Sequence, residues 1–142
     1  MIGVTDTEGD CAEWSFPAVP GAVRAARQAV RGALREWGLG GAVVDEAVLL
    51  VSELVTNSMR YTPGPVGVRV THPRTAGGRA AALPGLVVEV SDPLPEAPTE
   101  RTPGPDDESG RGLQLVARAA RRWGTRRGKS GKTVWFELAL PG

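Results

Sequence analysis

The apolar residues of this chain change their spacing at Thr62-Pro63-Gly64-Pro65. Before that point they recur every three or four residues, the period of a helix lying on a core. After it they first alternate, the period of a strand with one buried face. Val23, Ala26, Val30, Ala33, Leu34 and Trp37 form one stripe over a predicted helix from Gly21 to Trp37, which Gly38-Leu39-Gly40-Gly41 ends. Val44, Ala47, Val48, Val51, Leu54, Val55 and Ser58 form a second stripe over about Val43 to Tyr61, with Asp45 and Glu46 near the positive end of that helix. Proline and glycine at 63–65 then stop it.

The rest of the chain supplies strands. Glu13-Trp14-Ser15-Phe16 alternates and reads as an edge strand closed by Pro17 and Pro20, behind a disordered lead-in over 1–12. Val66 to Thr71 is a second strand, 73–84 a Gly- and Ala-rich hairpin loop, and Leu86 to Val90 an apolar strand running into Ser91-Asp92. A helix is expected from Leu113 to about Trp123, then a short strand near 125–127 and a clear one from Thr133 to Leu140. The order β, α, α, β, β, loop, α, β, β fits an α+β two-layer sandwich, a mixed, mainly antiparallel sheet with helices packed on one face. A chain of 142 residues makes one such domain, here 13–142, and buries roughly 70% of its unfolded surface without staples.

Composition removes several function classes. A net charge of +1 gives no bulk attraction to nucleic acid or anionic membrane. Arg24, Arg27, Arg31 and Arg35 carry no interleaved aromatics and read as a solvated helix face. One cysteine, Cys11, and one histidine, His72, are too few for a dedicated zinc site or an internal disulfide. No apolar run reaches membrane-spanning length and no signal segment precedes the first strand, so a cytoplasmic protein is expected.

Four short features carry chemistry. Glu53 and Asn57 lie four residues apart, about 40° on the helical wheel, opposite the core stripe. A carboxylate and an amide so placed can serve a metal-phosphate centre; they also suit an ordinary wet helix face, although Leu49 and Leu50 lie near it. Asp92 follows an apolar strand, as either a turn carboxylate or an acid aimed at a ligand amine. Residues 93–109 hold five prolines and no apolar period, and a loop this long inside a compact domain is functional or disordered. Gly110-Arg111-Gly112-Leu113 is a Gly-rich helix start, able to offer free N–H groups to phosphate or to be simply a glycine loop. The pairs at Gly128-Lys129 and Gly131-Lys132 do not form a phosphate loop. That motif needs a glycine with four residues between it and the pair, and a helix after it; Trp123 and Arg126 stand there, and a strand follows. A basic hairpin turn is expected instead.

Taken in order, these pieces resemble the histidine-kinase-like (GHKL, Bergerat-fold) ATPase domain, and within it the bacterial anti-sigma factor/serine-kinase branch with its stand-alone actinobacterial members. The likeness covers roughly 13–140, through Glu53-Leu54-Val55-Thr56-Asn57-Ser58, Asp92, Gly110-Arg111-Gly112-Leu113 and Gly131-Lys132-Thr133. The resemblance implies that Asn57 gives an oxygen to Mg²⁺ on the ATP phosphates and that Glu53 is the general base for an incoming serine hydroxyl. It also implies that Asp92 accepts from the adenine amino group, that Gly110 to Leu113 approach the phosphates, and that Thr133 lies near the adenine. Residues 93–109 would be the ATP lid. The sequence departs from the family pattern at Asp92-Pro93-Leu94-Pro95-Glu96, which lacks the usual glycines, and at Tyr61, where the branch often has histidine. The implied function is an ATP-binding regulator that holds a sigma factor and phosphorylates an antagonist protein, with a homodimer as its assembly. The alternative is a non-catalytic interaction module with weak or absent nucleotide binding.

Overall fold

The computed structural model describes residues 9–62, 64–73, 85–93, 108–128 and 131–140. Its elements are β1 (Gly9–Phe16), α1 (Ala22–Glu36), α2 (Gly41–Tyr61), β2 (Val66–Pro73), β3 (Gly85–Asp92), α3 (Glu108–Ala119), β4 (Arg122–Gly128) and β5 (Gly131–Ala139). The order of elements expected from the spacing is the order found. The strands form one five-stranded sheet, β1-β2-β3-β5-β4, and every described pairing is antiparallel. Among the described residues, no helix is long and apolar enough to cross a membrane.

The alternation of the strands builds the core. Register places Val68 opposite Val90 and Val90 opposite Val134; the next row is Val70, Val88 and Phe136, and Leu86 faces Leu138. All of these are buried, so the three central strands present one continuous apolar face. Ala26, Val30 and Leu34 of α1, eight apolar residues of α2 from Val43 to Val55, and Val116 of α3 cover it. Helix α2 packs against α1, α3 and the sheet, which explains why its apolar stripe is wide: Leu50 is as buried as Val51. Each buried Val, Leu or Phe contributes about 1.5–3 kcal/mol relative to exposure.

Three boundaries differ from expectation. Strand β1 starts at Gly9, so Gly9 to Ala12, expected within the lead-in, are paired: Gly9 with Pro73 and Ala12 with Val70. A polar edge strand gains its conformation from its neighbour's backbone, which no local pattern reveals. Residues 1–8 lie outside the described set. Helix α3 starts at Glu108, not Leu113, so Gly110, Arg111 and Gly112 are helical. Acids suit a first turn, and the packing of Leu113 and Val116 on the core outweighs about 1 kcal/mol per glycine. The same helix ends at Ala119, because the Arg121 N–H bonds the carbonyl of Glu137 and the chain enters the sheet. Trp123 is thus in β4, paired with Phe136. The hairpin turn expected at 128–132 lies between β4 and β5, closed by Gly128 opposite Gly131; Lys129 and Ser130 fall outside the described residues, as does 74–84. Of the expected lid over 93–109, residues 94–107 lie outside them too.

Candidate functional site

Glu53 and Asn57 stand on α2 one turn apart, both half-buried. They are thus neither in the core nor on a fully wet face. The two leucines beside them split: Leu50 points into the core and Leu49 is 48% exposed. The next residue, Ser58, gives the helix its tie to the sheet. Its Oγ donates to Asp92 Oδ2 at 3.2 Å.

Asp92 ends β3 on the face that α2 covers, since it continues the buried series Leu86, Val88, Val90. Its side chain is only 2% exposed. A carboxylate this buried requires partners, and Lys132 of β5, its register neighbour, brings Nζ to 3.8 Å from Oδ2. One residue back, Ser91 and Thr133 pair across β3 and β5, with their hydroxyl oxygens 2.7 Å apart. Gly131 is required here: its φ is +150°, and a Cβ would collide with the Asp92 carbonyl oxygen. The glycine lets β5 start tight against the end of β3.

The structure therefore brings Asn57 and Asp92 to one end of the helix–sheet interface, through Ser58, whereas Thr133, paired with Ser91, alternates to the other face of the sheet. Glu53 lies one turn back along α2. Sequence reasoning missed two members of this cluster. Ser58 was placed in the core stripe, although a lone hydroxyl in a run of Val and Leu signals a hydrogen-bonding duty. Lys132 had no such signal, because only the sheet register sets it beside Asp92. In α3, Gly110 falls in the first turn, where N–H groups lack intrahelical partners. Arg111, Gly112 and Leu113 follow inside the helix, so the free N–H groups begin earlier in the chain than the glycine pattern indicated. Among the described residues no group of three His, Cys, Asp or Glu side chains is placed to hold a metal ion. A metal would rely on a single amide oxygen plus ligand oxygens, a donor set that suits Mg²⁺ on phosphates.

A second charged cluster lies across the sheet. Glu137, 8% exposed, accepts from Arg121 at 3.1 Å and Arg122 at 2.8 Å. Burial acts to raise its pKa, but the two guanidiniums outweigh burial and hold the carboxyl below its ordinary range.

No curated protein matches the chain. Among solved structures, the RsbU and RsbW domains of Rv1364c from Mycobacterium tuberculosis superpose with a TM-score of 0.64 at 18% identity, over 92% of this chain. This chain spans 32% of that longer one, and the likeness speaks to the fold. The family model for the histidine kinase-like ATPase domain matches residues 16–138. With all three helices and the strands β2 to β5, bar Ala139, inside that match, this chain belongs to the histidine kinase-like ATPase domain family.

Proposed function

We propose that this chain is an ATP-binding regulator of the anti-sigma kind, a protein-serine kinase acting on an anti-sigma antagonist in the cytoplasm and holding a sigma factor or similar partner. The observation that carries the reading is the junction of Ser58 with the buried Asp92, which joins the helix bearing Asn57 and Glu53 to the end of the central strands.

Mg-ATP would supply the transferable phosphoryl group and the cation that neutralises its charge. Asp92, fixed by Ser58 and Lys132, offers a carboxylate oxygen to an exocyclic amine and so favours adenine over guanine. Asn57 offers its side-chain oxygen to the cation. The first-turn N–H groups of α3, Gly110 among them, offer donors to phosphate oxygens. Glu53 takes the proton of the serine hydroxyl.

A non-catalytic interaction module is the second reading, favoured by two features. The Asp92 carboxylate already has Ser58 and Lys132 as partners, and Leu94 and Glu96 stand where the family pattern has glycines. Calorimetric titration of the purified chain with Mg-ATP separates the two. Saturable heat that disappears without Mg²⁺ supports the first reading. A flat titration with a partner still captured supports the second.

A further inference from the structure

Two edges bound the sheet, and they are defended differently. Edge strand β4 carries Arg122, Arg126 and Arg127 in seven residues. Such cations on an edge keep foreign strands away. Edge strand β1 is eight residues long and contains neither lysine, arginine nor proline. Alternate residues along it direct N–H and C=O groups away from β2, toward a side where no other described strand pairs with it.

Beside this edge the fold leaves a groove of about 820 Å³ between β1 and the flank of α1. Ala12 and Trp14 line it from the strand, and Ala33, Glu36 and Trp37 from the helix, with Asp10 at one end. Trp37 is held by stacking on His72, ring centroids 6.3 Å apart, and His72 Nδ1 lies 3.9 Å from Asp10. Among the described residues no arginine lines this groove; its lining charges are the carboxylates of Asp10 and Glu36. Among the described ion pairs, neither acid meets a lysine or arginine. Two indoles with two carboxylates form a receptor for a cation on an apolar stem.

We propose that β1 and this groove are a docking site for an extended segment of a partner protein, which adds as a sixth strand and lays a lysine or arginine side chain into the groove. Backbone pairing supplies affinity, and the acidic aromatic groove selects the side chain that alternates into it. A second copy of this chain brings no cation to the groove through this strand, because its own β1 contains neither lysine nor arginine. The site is separate from the nucleotide cluster at Asp92, so it stands whether or not ATP binds.

The test uses the full ¹⁵N-labelled chain and two short capped peptides of alternating threonine and valine. One carries arginine at its centre and the other glutamate. The arginine peptide is expected to shift the amides of Ala12 and Trp14 and to bind at least about ten-fold more tightly than the glutamate peptide. Glu36→Lys, on the exposed rim of α1, is expected to weaken the arginine peptide about ten-fold while leaving the spectrum of the sheet unchanged. The proposal is overturned if the arginine peptide shifts nothing at millimolar concentration, or if both peptides bind alike. It is equally overturned if light scattering shows a dimer that Ala12→Pro dissociates, because a second copy would then own the edge.

Discussion

Asn57 and Asp92 carry the nucleotide reading from opposite sides of one junction, and their substitutions have separable signatures. Asn57→Ala removes the amide oxygen proposed to hold the cation and is expected to abolish Mg-dependent ATP binding; unchanged titration heat would refute that role. Glu53→Ala removes the proposed base and leaves the proposed adenine and cation contacts in place. It is expected to leave ATP affinity near the parent value while cutting phosphate transfer to the partner by a factor of about 10² or more. A variant that labels the partner at the parent rate would remove Glu53 from the chemistry. Asp92→Asn keeps the shape but loses the charge, and charge-assisted hydrogen bonds are roughly twice as strong as neutral ones. ATP affinity is expected to fall about ten-fold or more, with discrimination against GTP reduced. If both affinities stay put, Asp92 only anchors Ser58 and Lys132. These residues were legible in the sequence as types and spacings. Their meeting was not, since Asp92 and Ser58 are thirty-four positions apart and joined by a single hydroxyl.

At the scale of elements, helix α3 holds the sharpest difference between pattern and structure. Gly110 and Gly112 looked like a loop feeding a helix, because glycine normally marks a terminus. They are in fact helical, with Gly112 past the first turn. An interior glycine costs a helix about 1 kcal/mol relative to alanine, so its presence calls for a reason. Gly112→Ala is therefore expected to raise the melting temperature by a few degrees, consistent with about 1 kcal/mol in a domain of this size. It is also expected to weaken Mg-ATP binding, by placing a methyl where backbone and phosphate would approach. A stabilised variant with unaltered ATP affinity would show that the glycine is not there for phosphate. Strand β5 makes the converse point. Gly131 sits at φ +150° against the Asp92 carbonyl, so its glycine is explained by the close approach of two backbones rather than by a phosphate loop.

Across the whole molecule, the sheet face opposite the helices contributes stability that depends on acid. Glu137 receives Arg121 and Arg122, tying the chain between α3 and β4 to β5. Its carboxyl is held below the ordinary value of 4.5 in the folded state. The folded protein thus prefers the ionised form more than the unfolded chain does. That preference adds stability above the unfolded pKa and is lost as pH falls from about 4.5 toward the folded pKa. Glu137→Gln is expected to lower stability at pH 7 by about 1.5–3 kcal/mol, the range for hydrogen bonds to charged groups. It should also flatten the loss of stability below pH 4.5 in chemical denaturation. Parallel acid profiles for parent and variant would mean that other carboxylates set that limb.

The sequence by itself determined the class of fold and the order of elements, because apolar periods of 3.6 and 2 are local properties that survive without knowledge of contacts. It determined, too, which residue types were available for a nucleotide site. The tertiary structure decided where each element stops and what each polar group does. Arg121 leaves α3 for the Glu137 carbonyl, Gly9 to Ala12 become strand because β2 lies beside them, and Lys132 reaches Asp92 only through the β3–β5 register. Each of these depends on a partner distant in the chain. The energy of such a contact belongs to the pair, and no window of sequence contains both members.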